Sequence, residues 1–194
     1  MDVSEEKKDL RRLMKLRRGD MPLLDHRRKS TQIMDRCASL DEWSRSRTTH
    51  IYVSSVNNEV DTLGLIYGLF DSGVRVVVPR CVIGTSEMVP LEIGTLTELK
   101  PSRWCLMEPN YTADRVVGPD RLDLVVAPVL AFDRNGGRLG LGGGYYDRFL
   151  DQCECPKVGL AFAFQEVPEV PREPHDVLLD IVITEQEVIR IGRK

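Results

Sequence analysis

Cysteine is scarce and scattered. Cys37, Cys81, Cys105, Cys153 and Cys155 are odd in number and form no C-x-x-C pair, and with three histidines in the chain Cys153-x-Cys155 lacks partners for a zinc site. The thiols therefore read as reduced packing residues. No apolar run reaches the ~20 residues that a membrane-spanning helix needs. The opening MDVSEEKKDL is acidic and polar, where a secretory signal is basic and then apolar. A cytosolic chain is expected. A dominant charge is missing too: 27 Lys and Arg stand against 30 Asp and Glu, a formal net charge of -3. Nothing global therefore favours nucleic acid or an anionic membrane. Without repeats, low-complexity tracts or an interdomain linker, the 194 residues read as one domain, 1–194.

Glycine, by contrast, is concentrated. Six of the fifteen fall within DRNGGRLGLGGGYYDRFL, Asp133 to Leu150. Upstream, LDLVVAPVLAF (Leu122 to Phe132) has the apolar, β-branched character of a buried strand. Downstream, Tyr145 to Leu150 carries aromatic and aliphatic residues at helical spacing. The glycines thus link a strand to a helix start, where close backbone N–H groups suit anions. Neither common nucleotide pattern fits, because GxGxxG requires glycine where Tyr145 stands and no Gly-Lys-Ser or Gly-Lys-Thr follows. Arg138 and Arg148 flank the glycines as cations suited to phosphate oxygens, and Asp147 adds a carboxylate suited to Mg²⁺. The plainer alternative is a glycine turn with an acid stabilising the helix start.

Along the chain, Ser4 caps a first helix with Leu10, Leu13 and Met14 on one face and Lys7, Lys8, Arg11, Arg12, Lys15, Arg17 and Arg18 on the other. Such a basic face is usually solvated, but its cations can also reach a polyphosphate. Gly19 ends it. A second helix runs from Pro22 to Leu40, with Ile33, Met34, Cys37 and Ala38 inward and His26 at the surface. Thr49 to Ser54 reads as a strand, and the turn Asn57-Asn58 leads into Glu59 to Thr62, opening a helix to Phe70. Glu59 and Asp61 serve either as acids at that helix start or as ligand contacts at a strand end. Val74 to Pro79 reads as a buried parallel strand, Met88 to Ile93 as a small excursion and Trp104 to Pro109 as a short extended segment. Lys157 to Phe164 and Asp180 to Thr184 are strands, and the three prolines between them exclude a long helix there. The alternation predicts a three-layer α/β/α sandwich with a mainly parallel sheet.

FDRNGGRLGLGGGYYDRFL resembles the signature of the 5-formyltetrahydrofolate cyclo-ligase (methenyltetrahydrofolate synthetase) family. Weaker matches follow in the family's order: Lys7-x-x-Leu10-Arg11, Asn58-Glu59-Val60-Asp61-Thr62, and His175-Asp176 with Asp180. The resemblance implies a sandwich of the ribose-5-phosphate isomerase and CoA-transferase kind. It also implies that ATP is held by Lys7, Lys8, Arg11, Arg138, Leu139, Gly140, Leu141, Gly142, Gly143, Gly144, Tyr145 and Tyr146, with Asp147 and Asp176 binding Mg²⁺. Val53, Glu59 and the segment Leu141, Gly142, Gly143, Gly144 and Tyr145 would face the folate, and Arg138 and Tyr145 would carry the catalytic roles. Relatives often have an aromatic or cationic residue at the position of Leu141, so here that position offers its backbone alone. The implied partner is 5-formyltetrahydrofolate, with or without a polyglutamate tail, bound by a monomer that needs neither nucleic acid nor membrane.

The implied reaction explains the parts. The formyl oxygen of 5-formyltetrahydrofolate is a poor leaving group, and transfer of the γ-phosphate to it gives an iminium phosphate from which phosphate departs as N10 closes the ring. The protein positions reactants and neutralises developing charge. Two other readings predict different behaviour. A sugar-phosphate enzyme on the same fold would not need ATP, and a silent folate or nucleotide binder would not turn over.

Overall fold

The computed structural model describes residues 2–192. The helices are α1 (Val3–Gly19), α2 (Leu23–Ala38), α3 (Asp41–Arg45), α4 (Leu63–Asp71) and α5 (Tyr145–Leu150). The strands are β1 (Thr48–Ile51), β2 (Arg75–Cys81), β3 (Met88–Ile93), β4 (Leu99–Pro101), β5 (Met107–Pro109), β6 (Leu124–Pro128), β7 (Ala131–Phe132), β8 (Arg138–Leu139), β9 (Lys157–Leu160), β10 (Ile181–Ile183) and β11 (Val188–Arg190). Seven strands share one sheet in the order β11-β10-β9-β6-β1-β2-β3, parallel except at its two edges. This is the expected mainly parallel α/β architecture.

The two-residue period of a strand divides the apolar residues between the faces. Ile51, Val76, Val78, Leu124, Val126, Leu160 and Ile183 turn toward one cluster, completed by Ile33 and Cys37 of α2 and by Leu65, Ile66 and Leu69 of α4. Val77, Val125, Ala127 and Val182 turn toward the other, against Phe149 and Leu150 of α5. A right-handed crossover puts its helix on opposite faces when the sheet grows in opposite directions. From β1 the chain passes through α4 to β2 on one side, and from β6 through α5 to β9 on the other. Helix α1 packs Met14 onto Leu130, Ala131 and Leu139, beside the β7–β8 hairpin.

Local chemistry moves several boundaries. Asp2, not Ser4, caps α1, its carboxylate accepting from the Ser4 amide. Arg18 is not on a solvated face but almost fully buried, its guanidinium taken by main-chain carbonyls. Ala38 is exposed, because α2 turns it off the face that buries Ile33 and Cys37. His26 is half-buried, its Nε2 2.6 Å from the Glu59 carbonyl. Helix α4 starts at Leu63, four residues beyond Glu59. Asn57 and Asn58 are left-handed (φ 51 and 49), and the Asp61 carboxylate accepts from the Leu63 amide at 2.9 Å, giving that acid its helix-start role. The Met88–Ile93 excursion is an edge strand antiparallel to β2, with Pro90 tolerated there because an edge leaves one N–H side free. The apolar run Leu122–Phe132 is broken after Pro128, and its end forms the hairpin that delivers the glycine loop.

Candidate active site

Strands β1 and β6 are neighbours whose connections leave in opposite directions. Such a switch point opens a crevice beyond the carboxyl ends of the strands. Tyr52 and Val53 follow β1, Pro128 ends β6 and Pro79 lies near the end of β2, and all four line a cavity of about 370 Å³, within the range of small-molecule sites. Its remaining walls come from Ser4, Lys7 and Arg11 of α1, from Leu106 to Glu108, from Arg138 to Asp147, and from Glu173, His175 and Asp176. Every site residue that the family resemblance implied lines this one cavity except Lys8, which is exposed on α1; Arg148 and Asp61, weighed from the sequence as ligand contacts, are exposed and do not line it.

The glycine loop is shaped by conformations that side chains disfavour. Gly142 and Gly144 have φ of 105° and 68°. A Cβ at Gly142 would also lie 3.3 Å from the Arg11 guanidinium, whose Nε donates to the Gly140 carbonyl at 3.1 Å. Arg11 thus braces the loop from outside. Helix α5 has only six residues, too few to build a large macrodipole, so the loop backbone itself is what faces the cavity.

The cations and carboxylates are paired with one another. Arg138 is buried and donates through Nη2 to Asp147 Oδ1 at 2.6 Å, while its Nε has no partner among the described residues. Lys7 Nζ is 2.5 Å from Asp176 Oδ2 and 2.8 Å from Glu173 Oε2. Burial pulls the Lys7 ammonium down, but its bonds to Asp176 and Glu173 outweigh this and hold it above the usual lysine range. Burial likewise pushes Asp176 up, and the Lys7 bond outweighs that and holds the carboxylate low. Glu173, His175 and Asp176 each offer a ligand atom within 4.8 Å of the others. Glu173 was not apparent from the sequence; its one signal is a carboxylate three positions before Asp176 in a proline-rich loop.

The cavity lining also includes Tyr52, Pro79, Met88, Leu106 and Met107 and two buried acids, Glu59 and Glu108. Burial pushes the Glu59 carboxyl up, partly offset by Arg18 and by the Ser55 and Val56 amides. Glu108 accepts from the Cys81 amide at 2.9 Å. Tyr145 donates to the Thr85 carbonyl and meets Trp104 edge-on at 6.3 Å. Tyr146 packs against His50, whose titration burial lowers to about 3. The imidazole therefore stays neutral. Glu108, Tyr52 and His50 carry no sequence signal, since each sits in an ordinary strand or strand-end context.

Fold and cavity together define the class: an α/β protein whose switch-point crevice is lined by charged groups and glycine-loop backbone together with apolar residues and two buried acids. The chain belongs to the 5-formyltetrahydrofolate cyclo-ligase family, whose model matches residues 3–185. It is 30% identical over 205 residues to a probable 5-formyltetrahydrofolate cyclo-ligase of Schizosaccharomyces pombe, covering 97% of this chain and 99% of that one. Among solved structures, the 5,10-methenyltetrahydrofolate synthetase of Aquifex aeolicus superposes with a TM-score of 0.84 at 29% identity, covering 97% and 95% of the two chains. That of Mycoplasma pneumoniae gives 0.75 at 26% identity, covering 95% and 99%. Among the described residues no helix is long and apolar enough to cross a membrane.

Proposed function

We propose that this chain is an ATP-dependent ligase that closes 5-formyltetrahydrofolate to 5,10-methenyltetrahydrofolate, releasing ADP and phosphate. The observation that carries the reading, beside family membership, is the mixed lining of that one cavity. Lys7, Arg11, Arg138 and the glycine loop suit a polyphosphate, and Glu59, Tyr52 and Met107 suit a reduced pterin whose N–H groups need an acceptor. In this reading the formyl oxygen takes the γ-phosphate, N10 adds to the formyl carbon and loses its proton, and phosphate carries the oxygen away. Arg138 and the loop amides hold the transferring group in line, and Tyr145 orders the substrate beside the loop.

The donor set suits Mg²⁺, since Asp147, Asp176 and Glu173 are hard oxygen ligands and this ion commonly takes one or two carboxylates with phosphate oxygens and water. When bound, Mg²⁺ would neutralise charge on the transferring phosphoryl group. The pairings fit an exchange in which Lys7 and Arg138 pass from carboxylate to phosphate and release Asp176 and Asp147 to the ion. The same reading takes the chain as one domain and a cytoplasmic monomer, with a polyglutamate tail left outside the cavity.

Purified protein with 5-formyltetrahydrofolate and Mg-ATP should develop the methenyl chromophore, and omitting ATP should abolish it. Absence of any absorbance change on prolonged incubation overturns the activity. A chromophore that forms equally without ATP overturns its ligase character.

A further inference from the structure

Five acids line the cavity: Glu59, Glu108, Asp147, Glu173 and Asp176. Three of them hold the cations Arg138 and Lys7. Glu59 and Glu108 form no ion pair among the described residues. A carboxylate taken out of water without a cation needs N–H or O–H donors instead. The family resemblance accounts for Glu59 alone.

Glu108 is 8% exposed on β5, and Arg80 of β2 donates to the carbonyl of its neighbour Pro109. The Glu108 Oε1 accepts from the Cys81 amide at 2.9 Å, which fixes the carboxylate against the end of β2. No N–H or O–H donor of the described residues reaches its other oxygen. Burial and the Glu108 carboxylate push the Cys81 thiol up to about 12, so it stays protonated and offers only a weak donor. The acid therefore has one oxygen satisfied by the protein and one left for whatever fills the cavity.

We propose that Glu108 is a second folate-binding residue, its other oxygen accepting from an N–H of the reduced pterin while Oε1 stays on the Cys81 amide. The proposal rests on the reading of the cavity as a 5-formyltetrahydrofolate site. The pterin suits the acid because it is uncharged and carries several N–H donors on its aminopyrimidine and reduced rings, more than Glu59 alone can accept. Nucleotide phosphates do not suit it, since a carboxylate without a cation repels them. Adenine offers a single amino group flanked by ring-nitrogen lone pairs, which a carboxylate also repels.

Glu108→Gln separates this role from a structural one. The glutamine carbonyl keeps the bond to the Cys81 amide, whereas its NH₂ puts a donor where the second acceptor stood. In calorimetric titrations Glu108→Gln should bind 5-formyltetrahydrofolate at least tenfold more weakly than wild type, with ATP affinity within twofold and the urea midpoint unchanged. Wild-type folate affinity in the folded variant, or an equal loss for both ligands, overturns the proposal and leaves Glu108 a strut on Cys81. A structure of the wild type with 5-formyltetrahydrofolate bound decides the matter even if the variant does not fold. It should place a pterin nitrogen within about 3.2 Å of a Glu108 oxygen, and a bound pterin without that contact overturns the proposal. If the wild type binds no 5-formyltetrahydrofolate at all, the reading of the cavity itself fails and takes the proposal with it.

Discussion

At the scale of single residues, Arg138 holds two positions at once. It stands directly before the glycines, lines the cavity, and is buried against Asp147. The sequence alone suggests that Arg138→Ala would leave the fold intact. The pairing changes that expectation, because removing one partner leaves the half-buried Asp147 carboxylate unsatisfied, at a cost of about 1–3 kcal/mol. Arg138→Ala should therefore lower the urea midpoint and also raise the ATP KM or lower kcat at least tenfold, equivalent to about 1.4 kcal/mol. Kinetics are to be compared at a temperature where both proteins are folded. Wild-type constants there would remove Arg138 from the phosphate site and leave it a structural ion pair.

At the scale of elements, α1 is joined to the loop Glu173–Asp176 by Lys7 and to the glycine loop by Arg11. The Lys7 contacts imply a definite pH dependence. Asp176 and Glu173 are held below their unfolded values, so their contribution is present above the usual carboxylate range and is lost as pH falls through it. Lys7 is held above its unfolded value, so its contribution is complete below about pH 10 and fades only above that. Stability should thus be flat in this respect near neutrality and fall between about pH 5 and 3. Lys7→Met should make that acid slope shallower in urea titrations, and parallel slopes would mean that the pair is not coupled to folding.

The same elements bear on metal. Asp147 lies on α5 and Asp176 on the loop before β10, each already bonded to a cation. Neither should bind Mg²⁺ tightly until a nucleotide draws that cation away. Turnover against total Mg²⁺ at fixed ATP should shift to higher concentrations in both Asp147→Asn and Asp176→Asn. An unchanged Mg²⁺ requirement in the folded variants would leave Asp147 as a helix-start acid and take Asp176 out of the site.

At the scale of the whole molecule, the sheet is the platform and α4 one of the layers that holds it. Ile66 is fully buried between α4 and the sheet, away from the cavity lining. Ile66→Ala should cost about 2–5 kcal/mol in urea unfolding while leaving KM for both substrates unchanged in the folded protein. A shift in KM would show that the crevice depends on the packing of that layer as well as on the strand ends.

What the sequence determined by itself is local. Strings such as Val76-Val77-Val78 and Leu124-Val125-Val126 specify buried strands through their β-branched character, and the six clustered glycines specify a loop of unusual backbone, because these are properties of neighbouring residues. Family resemblance could be read from the same loop. What only the tertiary structure decided is which distant groups meet. Arg18 looked like one more cation on a solvated helix face until the ends of β1 and β6 closed over it. His26 looked superficial until it met the Glu59 carbonyl, and Glu108, Glu173 and His50 had no local pattern to mark them. The reason is physical: a strand or turn follows from short-range sterics and periodicity, whereas a charge's partner and its desolvation depend on chain segments distant in sequence, as far apart as Lys7 and Asp176, brought together only by the packed sheet.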